Sequence, residues 1–331
     1  MKRRSIIKDI TIAGAASLLL AFSCSKLDME NDIIEGAETA VSWMTPLPDD
    51  TPVARLSIPG AHDAATFSIT SWPMWTKTQE LDIAALWNAG VRAFDLRPAL
   101  VDRKMGIYHD KYSANVGFME ILNALVVALD THPGEGAIII IRHEEEADGN
   151  TPDWGGAMNE CLESVRSRLV PYHSGITLGE LRGKILFLSR NTFDGGPIGA
   201  YIKGWTSGTD LSAQKSATLV GEDGVESPLW VQDYYDPEGA DDKWEEVKDM
   251  LDATASATEP YPLVVNHVSG YVGNLPDYRT NAKNTNTKAA DYIRESGAPA
   301  GIIMMDFAGV DRSNGKSVGG KTLLKAIMAN N

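Results

Sequence analysis

The chain alternates short apolar segments with longer segments that have the hydrophobic spacing of helices. Several short segments are apolar at nearly every position, which is typical of strands covered on both faces of a sheet. The predicted strands are Val53–Ile58, Val91–Leu96, Gly106–Tyr108, Ala137–Ile141, Lys184–Ser189, Leu229–Gln232, Leu263–Asn266 and Ile302–Met305. The predicted helices are Glu80–Ala89, Gly117–Thr131, Trp154–Leu169, Leu178–Leu181, Asp241–Ala255, Lys288–Glu295 and Lys321–Ala329.

This alternation predicts an α/β fold, a single distorted β/α barrel of the TIM type. In such barrels the chemistry collects where the strands end. A doubly wound open sheet is the alternative, although no glycine-rich phosphate-binding sequence follows the first strand. The polar residues that follow the apolar segments are His62 and Asp63, Asp95 and Arg97, Arg142 and Glu144, Arg190, Asp233 and Tyr235, and Asp306.

The N-terminal region differs from the rest. Residues 1–23 combine a basic start with an apolar segment too short to span a membrane, which predicts a secretory signal. The sequence before Cys24 resembles a lipoprotein processing site with Cys24 as the lipidated residue; a plain signal with an incidental cysteine is the alternative. Residues 24–50 predict an acidic tether and 51–331 one domain. We expect an envelope lipoprotein, anchored in the outer membrane or at the cell surface, or a secreted protein.

Composition narrows the classes of partner. The 331 residues carry a formal net charge of -15, and no basic patch is visible, which argues against nucleic acid. The chain has two cysteines, Cys24 and Cys161, and no paired spacing indicates zinc. We expect a monomer with no cofactor and no obligate protein partner.

Two histidines and an arginine follow predicted strands in the first third of the chain. His62 and His109 can move protons in both directions in one reaction, one as base and the other as acid. Arg97 can hold a phosphate between them with two parallel hydrogen bonds. These residue types indicate cleavage of a phosphodiester by an internal hydroxyl, which needs no external nucleophile. The structural alternative is that His62 caps the bend at Pro59-Gly60.

These segments resemble the X domain of bacterial phosphatidylinositol-specific phospholipases C. The resemblance extends over roughly residues 51–331. It implies cleavage of phosphatidylinositol, or of a glycosylated relative, at a membrane interface, giving diacylglycerol and inositol 1,2-cyclic phosphate. The segments that carry it are Pro59–Asp63, Gly90–Arg97, Tyr108-His109, Ile141–Glu144, Lys184–Arg190, Val231–Tyr235 and Met305-Asp306.

The resemblance implies a role for each proton-transferring residue. His62 would be the base that takes the proton from the inositol 2-hydroxyl, with Asp306 fixing its tautomer. His109 would be the acid that protonates the diacylglycerol oxygen, supported by Asp63. The alternative for Asp306 is that it only caps the turn after its strand.

Arg97, with Asp95 beside it, would bind the phosphate and neutralise the charge that develops there. Calcium-dependent relatives hold a metal ion at this position, whereas the Asp-x-Arg sequence resembles the metal-independent branch. The resemblance therefore implies no metal requirement.

The resemblance also implies a polar pocket with one flat wall for inositol. The family usually has lysine where Arg142 stands, and arginine changes the geometry of that contact. These side chains could instead form surface ion pairs, and Trp205 could pack in the core. The implied pocket residues are Arg142, Glu144, Arg190, Asp233, Tyr235 and Trp205.

A loop rich in tryptophan follows the first motif. Trp72, Met74 and Trp75 surround Pro73, and tryptophan favours the membrane interface. We expect this loop to contact lipid beside the active site; a buried lid on the barrel is the alternative.

Two other functions remain open. A metal-dependent glycerophosphodiester phosphodiesterase would carry His-Arg-Gly and Glu-x-Asp sequences, but His62 is followed by Asp63 and Ala64. A non-catalytic glycolipid-binding lipoprotein is disfavoured by the presence of both histidines and Arg97.

Overall fold

The computed structural model describes residues 40–69, 76–207, 216–272 and 278–331. The packed domain runs from Val41 to Asn331. It therefore begins before the expected boundary at residue 51, because Trp43 and Met44 are buried and Trp43 Nε1 donates to Gly90 O at 2.9 Å. Among the described residues, no helix has both the length and the apolar character to cross a bilayer.

The strands are short and come in three sheets. In chain order they are β1 (Ser57–Ala61), β2 (Ala93–Leu96), β3 (Pro98–Val101), β4 (Lys104–His109), β5 (Tyr112–Gly117), β6 (Ala137–Ile141), β7 (Leu169–Val170), β8 (Ile185–Ser189), β9 (Ala200–Lys203), β10 (Ala217–Gly221), β11 (Glu226–Gln232), β12 (Leu263–His267), β13 (Gly301–Met305), β14 (Arg312–Ser313) and β15 (Lys316–Ser317).

Nine of the described strands form a closed ring. Its order is β1, β2, β6, β8, β9, β10, β11, β12 and β13, which pairs back onto β1, while β7 pairs with β8 outside the ring. Neighbouring ring strands are parallel except at β9–β10 and β10–β11, which are antiparallel. The fold is thus a distorted β/α barrel of the TIM type, and the predicted fold class is confirmed.

The sequence prediction misses β9 and β10. Most parallel ring strands are buried at every position, whereas residues of β9 and β10 alternate between buried and more exposed. Their outer face is incompletely covered, so they lack the continuous apolar character that identifies strands covered on both faces.

The predicted strand Gly106–Tyr108 is confirmed, but it lies outside the barrel. These residues lie in β4, the middle strand of a separate antiparallel sheet with β3 and β5. Between β3 and β4 the chain reverses at Asp102 and Arg103, which have φ of 50° and 61°. Positive φ at two successive residues is typical of a tight hairpin turn. This side sheet begins directly after Arg97, at the carboxyl end of β2, and β4 ends at His109.

Helices cover much of the barrel, and one is much longer than predicted. In α7 (Tyr278–Ser296) the buried positions include polar side chains, which hide the apolar spacing. Asn281 Nδ2 donates to Val268 O at 3.0 Å, and Asn286 Nδ2 donates to Val318 O at 2.9 Å. The helices are α1 (Ile83–Ala89), α2 (Phe118–Thr131), α3 (Glu145–Asp148), α4 (Trp154–Ser164), α5 (Leu178–Leu181), α6 (Ala240–Ala255), α7 (Tyr278–Ser296) and α8 (Gly320–Met328).

A buried ion pair joins the N-terminal segment to the barrel. Arg92 Nε lies 3.0 Å from Glu135 Oε2, and both side chains are fully buried. Glu135 also accepts hydrogen bonds from the backbone of Met44 at 3.2 Å and of Thr45 at 2.8 Å. The guanidinium of Arg92 stacks on Trp87, 3.7 Å from the ring centroid. Removing one charge of such a pair leaves the other buried without compensation.

We therefore expect Glu135→Ala to lower the free energy of unfolding by about 3–5 kcal/mol. Urea denaturation followed by circular dichroism measures this loss. Glu226→Ala is the control, because Glu226 pairs with Lys203 on the surface and its loss should change stability by less than about 1 kcal/mol. Equal effects of the two substitutions would contradict the prediction.

Candidate active site

The alternation of side chains along the ring strands builds the site. Residues two apart on a strand point to the same face. One buried cluster fills the barrel interior and includes Ile58, Ile140, Leu188, Val231 and Met304. The same alternation, continued to the strand ends and past them, brings polar side chains to the barrel mouth. They are His62 after β1, Asp95 within β2 and Arg97 just after it, Arg142 and Glu144 after β6, Arg190 after β8, Asp233 and Tyr235 after β11, and Asp306 after β13.

Two predicted residues reach the mouth by other routes. Asp63 follows His62 directly and would point to the opposite side of a regular strand. Its φ of 43° places it in the left-handed region, which Asp tolerates better than most residues, and the chain turns there. His109 comes from the side sheet, at the end of β4.

His62 is held by a carboxylate on one side and faces the cavity on the other. Its Nδ1 donates to Asp306 Oδ1 at 2.8 Å, which fixes the ring orientation. Its Nε2 lies 3.2 Å from Arg97 Nη2 and 3.5 Å from Asp63 Oδ2. The nitrogen that points into the cavity is therefore the one that would exchange a proton with a ligand.

Opposing effects act on the protonation of His62. Burial lowers its pKa, but the charges of Asp63 and Asp306 outweigh burial and raise the pKa to about 9. The contact from Arg97 Nη2, in contrast, needs the lone pair of Nε2 and suits the neutral ring. Both the protonated and the neutral ring of His62 therefore have suitable partners nearby. A residue that takes up and then returns a proton needs partners in both states.

The Arg97 guanidinium lies among three carboxylates. Its Nε is 2.5 Å from Asp63 Oδ1, its Nη2 3.6 Å from Asp95 Oδ2 and its Nη1 3.9 Å from Glu144 Oε2. Burial opposes the charge of Asp63, but the Arg97 and His62 charges hold the pKa of that carboxyl well below its usual range. Among the described residues, neither Arg97 Nε nor the Asp63 oxygens have a well-aligned hydrogen-bond partner. These contacts are ion pairs that leave hydrogen-bonding capacity for a ligand.

His109 shares Asp63 with His62. Its Nδ1 donates to Thr76 O at 3.0 Å and lies 3.4 Å from Asp63 Oδ2. Burial, and then the positive charges of Arg97 and His62, lower the pKa of His109 despite the opposing charge of Asp63. The two histidines therefore sit on one carboxylate, with pKa values moved in opposite directions.

The two histidines open onto a cavity of about 260 Å³ with a polar wall. Arg142 Nη2 lies 3.4 Å from Glu144 Oε1, and burial raises the pKa of Glu144 to about 7 against the charges of Arg97 and Arg142. Burial lowers the pKa of Arg190 to about 10. The predicted pocket residues that line this cavity are Arg142, Glu144, Arg190, Asp233 and Tyr235.

Trp205 lies behind this wall rather than in the cavity lining. Its Nε1 donates to Asp233 Oδ2 at 2.9 Å, and its ring stacks on the Arg190 guanidinium at 4.3 Å. It borders a neighbouring cavity of about 410 Å³ that shares Arg142 and Arg190. Its position supports Asp233 and Arg190, and its role in binding stays a prediction.

Other lining residues carry no signal in the sequence pattern. The ring of Tyr278 at the start of α7 lies 6.4 Å from the rings of both His62 and His109. This tyrosine precedes the predicted start of its helix, so spacing does not identify it. His267 is buried, with its ring 5.6 Å from that of His62, and burial lowers its pKa to about 4. The unpredicted lining residues are Asp110, Glu146, Ser207, Tyr271 and Tyr278.

One group at the mouth has the spacing of metal ligands. Ligand atoms of His62, Asp63 and Asp95 all lie within 4.8 Å of one another. The Arg97 guanidinium contacts all three side chains. A cation bound by this group would therefore lie against the positive charge of Arg97.

The chain is similar in sequence to bacterial proteins named as phosphodiesterases. No family model matches the chain. A 1-phosphatidylinositol phosphodiesterase of Staphylococcus aureus is 25% identical over 282 residues, covering 81% of this chain and 88% of that protein. The Listeria monocytogenes protein of the same name is 29% identical over 175 residues, covering 49% of this chain and 52% of that protein.

Solved structures show the same fold. A phosphatidylinositol-specific phospholipase C of Staphylococcus aureus, solved as a point mutant, has a TM-score of 0.71 at 23% identity, covering 87% of this chain and 97% of that one. The Listeria monocytogenes enzyme has a TM-score of 0.67 at 22% identity, covering 88% and 98%. The chain is thus similar in sequence to bacterial 1-phosphatidylinositol phosphodiesterases and similar in fold to bacterial phosphatidylinositol-specific phospholipases C.

Some predicted residues lie outside the described part of the chain. They are the signal and lipidation residues up to Cys24, most of the tether, and Trp72, Met74 and Trp75 in the loop before Thr76. Their roles stay predictions.

We expect Asp306→Asn to lower the pKa of His62, because the amide removes a negative charge and leaves the ring nitrogen less strongly held. Titration of the histidine side chains by NMR measures the change from the wild-type value of about 9. The exposed His173, whose pKa is raised by its hydrogen bond to Glu180, is an internal control that should not move. An unchanged His62 pKa in this variant would contradict the coupling.

Proposed function

We propose that the chain cleaves phosphatidylinositol, or a glycosylated relative, to diacylglycerol and inositol 1,2-cyclic phosphate. The observation that carries the proposal is the pair of imidazoles, His62 and His109, that share the Asp63 carboxylate on one cavity with the Arg97 guanidinium. The names of the curated relatives from Staphylococcus aureus and Listeria monocytogenes state the same lipid substrate.

The inositol 2-hydroxyl is the nucleophile, and His62 is its base. Nε2 faces the cavity and takes the hydroxyl proton as the oxygen bonds to phosphorus. Asp306 stabilises the imidazolium that forms through its hydrogen bond to Nδ1. A pKa near 9 makes His62 a stronger base than a free histidine but leaves less of it neutral at pH 7.

Arg97 supports the phosphoryl group during this step. Negative charge grows on the phosphoryl oxygens as the fifth oxygen approaches phosphorus. A guanidinium that is already fixed by Asp63 and Asp95 can neutralise this charge without reorganising, which is the main advantage of a preorganised site.

His109 completes the exchange on the leaving-group side. The bond from phosphorus to the diacylglycerol oxygen breaks, and this oxygen takes a proton from Nε2 of the His109 imidazolium. Thr76 O and Asp63 hold the Nδ1 proton, so Nε2 is the nitrogen that gives up its proton. One P–O bond forms and one breaks, and the two histidines exchange protonation states.

The polar wall of the cavity selects the headgroup. Inositol presents hydroxyls around a ring, and carboxylates and guanidinia can bind adjacent hydroxyls with paired hydrogen bonds. Asp233 and Arg190 are half-buried and both contact Trp205, while Tyr235 offers an exposed aromatic face at the rim. Arg142 and Glu144 lie on the neighbouring strand end and are assigned to the same ring.

The reaction is proposed to need no metal ion. Arg97 supplies positive charge at the carboxylate group where a metal would otherwise be needed, and it contacts the same atoms. A metal-dependent glycerophosphodiester phosphodiesterase would require that group to bind a cation instead.

The site of action is proposed to be a membrane surface outside the cytoplasm. The supporting observations come from the sequence: the signal-like residues 1–23, Cys24 as an anchor, and the loop with Trp72, Met74 and Trp75 as a lipid contact. The lipid is the partner in this proposal.

We expect the purified chain to convert phosphatidylinositol to inositol 1,2-cyclic phosphate in the presence of EDTA, since Arg97 supplies the positive charge. Phosphorus NMR distinguishes the strained cyclic phosphate from the open monophosphate. A reaction that stops in EDTA and resumes with a divalent cation would favour the metal-dependent alternative, and no reaction in either condition would favour the non-catalytic one.

We expect His62→Ala and His109→Ala each to reduce turnover of phosphatidylinositol by at least about 10²-fold, since each removes one proton-transfer group. Initial rates on detergent-dispersed lipid measure the loss, and circular dichroism checks that the variants fold. His173→Ala is the matched control, because this exposed histidine pairs only with surface groups. Near-normal turnover in either cavity variant would refute its assigned role.

A further inference from the structure

A lysine is buried under the inositol side of the cavity. Lys243 lies in the first turn of α6 and is fully buried. Its Nζ donates to Gln232 Oε1 at 2.9 Å and to Tyr234 O at 2.7 Å. Both hydrogen-bond partners are neutral, while the charges of Asp233, Asp306 and Glu246 act on Lys243 from farther away. Lys243 does not line the cavity, so it does not contact the substrate.

This arrangement is unfavourable for stability. A buried ammonium whose hydrogen-bond partners are neutral recovers little of its lost hydration, and the N-terminal end of a helix carries partial positive charge. Burial lowers the pKa of Lys243 to about 7 despite the opposing charges of Asp233 and Asp306. An apolar side chain of similar length would be tolerated at least as well. Stability alone therefore does not account for a lysine here.

The hydrogen bonds of Lys243 converge on a single short turn. Gln232 Oε1 also accepts from Tyr234 N at 2.8 Å, so Lys243 and Gln232 hold both backbone groups of Tyr234. Gln232 Nε2 donates to Asn266 Oδ1 at 2.7 Å and to His267 O at 2.8 Å, which ties the turn to β12.

The residues on either side of Tyr234 both face the cavity. Asp233 and Tyr235 line the cavity. We propose that Lys243 is a positioning residue for headgroup binding: by clamping the backbone at Tyr234, it sets the directions of the Asp233 and Tyr235 side chains. The proposal rests on the proposed function, since it concerns the binding of inositol by these two side chains.

The test compares two lysines of α6. Lys243→Met removes the clamp and keeps the side-chain length, whereas Lys248→Met removes an exposed lysine that pairs with Asp252 at 2.7 Å. With a short-chain, water-soluble phosphatidylinositol, we expect Lys243→Met to raise KM about tenfold and to leave kcat within about twofold, because headgroup contacts act on ground and transition states alike. The melting temperature should stay equal or rise. Lys248→Met should leave KM and kcat unchanged.

A double variant tests whether Lys243 affects KM through Asp233. If Lys243 acts through Asp233, then Lys243→Met combined with Asp233→Ala should raise KM no further than Asp233→Ala alone. Additive effects would overturn the proposal, as would an unchanged KM in Lys243→Met. Loss of folding in Lys243→Met would identify a structural lysine and also overturn it. A wild-type chain that does not cleave the substrate would instead refute the proposed function, and this inference with it.

Discussion

The Arg97 guanidinium is the interaction on which the arrangement at the barrel mouth depends. Asp63, Asp95 and Glu144 converge there with little exposure to water, and carboxylates so close together repel one another. Without a central positive charge, at least one of them would bind a proton or move away. Asp63 is the most sensitive, since its oxygens also lie next to both histidines. Arg97 thus maintains the charge that tunes the histidines as well as the place where a phosphate can bind.

The barrel strands position most of the site residues, and the separate antiparallel sheet contributes His109. The ring strands place His62, Asp306 and the headgroup wall by simple alternation above a packed interior. Gly60, in β1 below His62, shows how closely this interior is packed: a Cβ atom there would lie 2.6 Å from Met304 Sδ and 3.1 Å from Ile303 O, so the methionine side chain would have to shift to admit a larger residue. The alternation of side chains along the ring strands does not place His109, which is the last residue of β4 in the side sheet.

Much of this arrangement is predictable from the sequence, for a physical reason. Parallel strands covered on both faces are apolar throughout, so a polar residue just after them marks the mouth. That logic places His62, Arg97 and Asp306 at one end of the barrel. It fails where burial is incomplete, as in β9 and β10, or where buried positions are polar, as in α7. The sequence pattern also does not identify Tyr278 and Lys243, because their importance depends on their neighbours in three dimensions and not on their spacing along the chain.

The side sheet separates the two ends of the reaction. The residues assigned to the nucleophile and to the headgroup belong to the closed ring, which resists local rearrangement because every ring strand is paired on both sides. The residue assigned to the departing alcohol belongs to an excursion of three short strands joined by tight turns. Under the proposed roles, sequence changes confined to these three strands would alter the side that meets the leaving alcohol and leave the headgroup wall in the barrel unchanged.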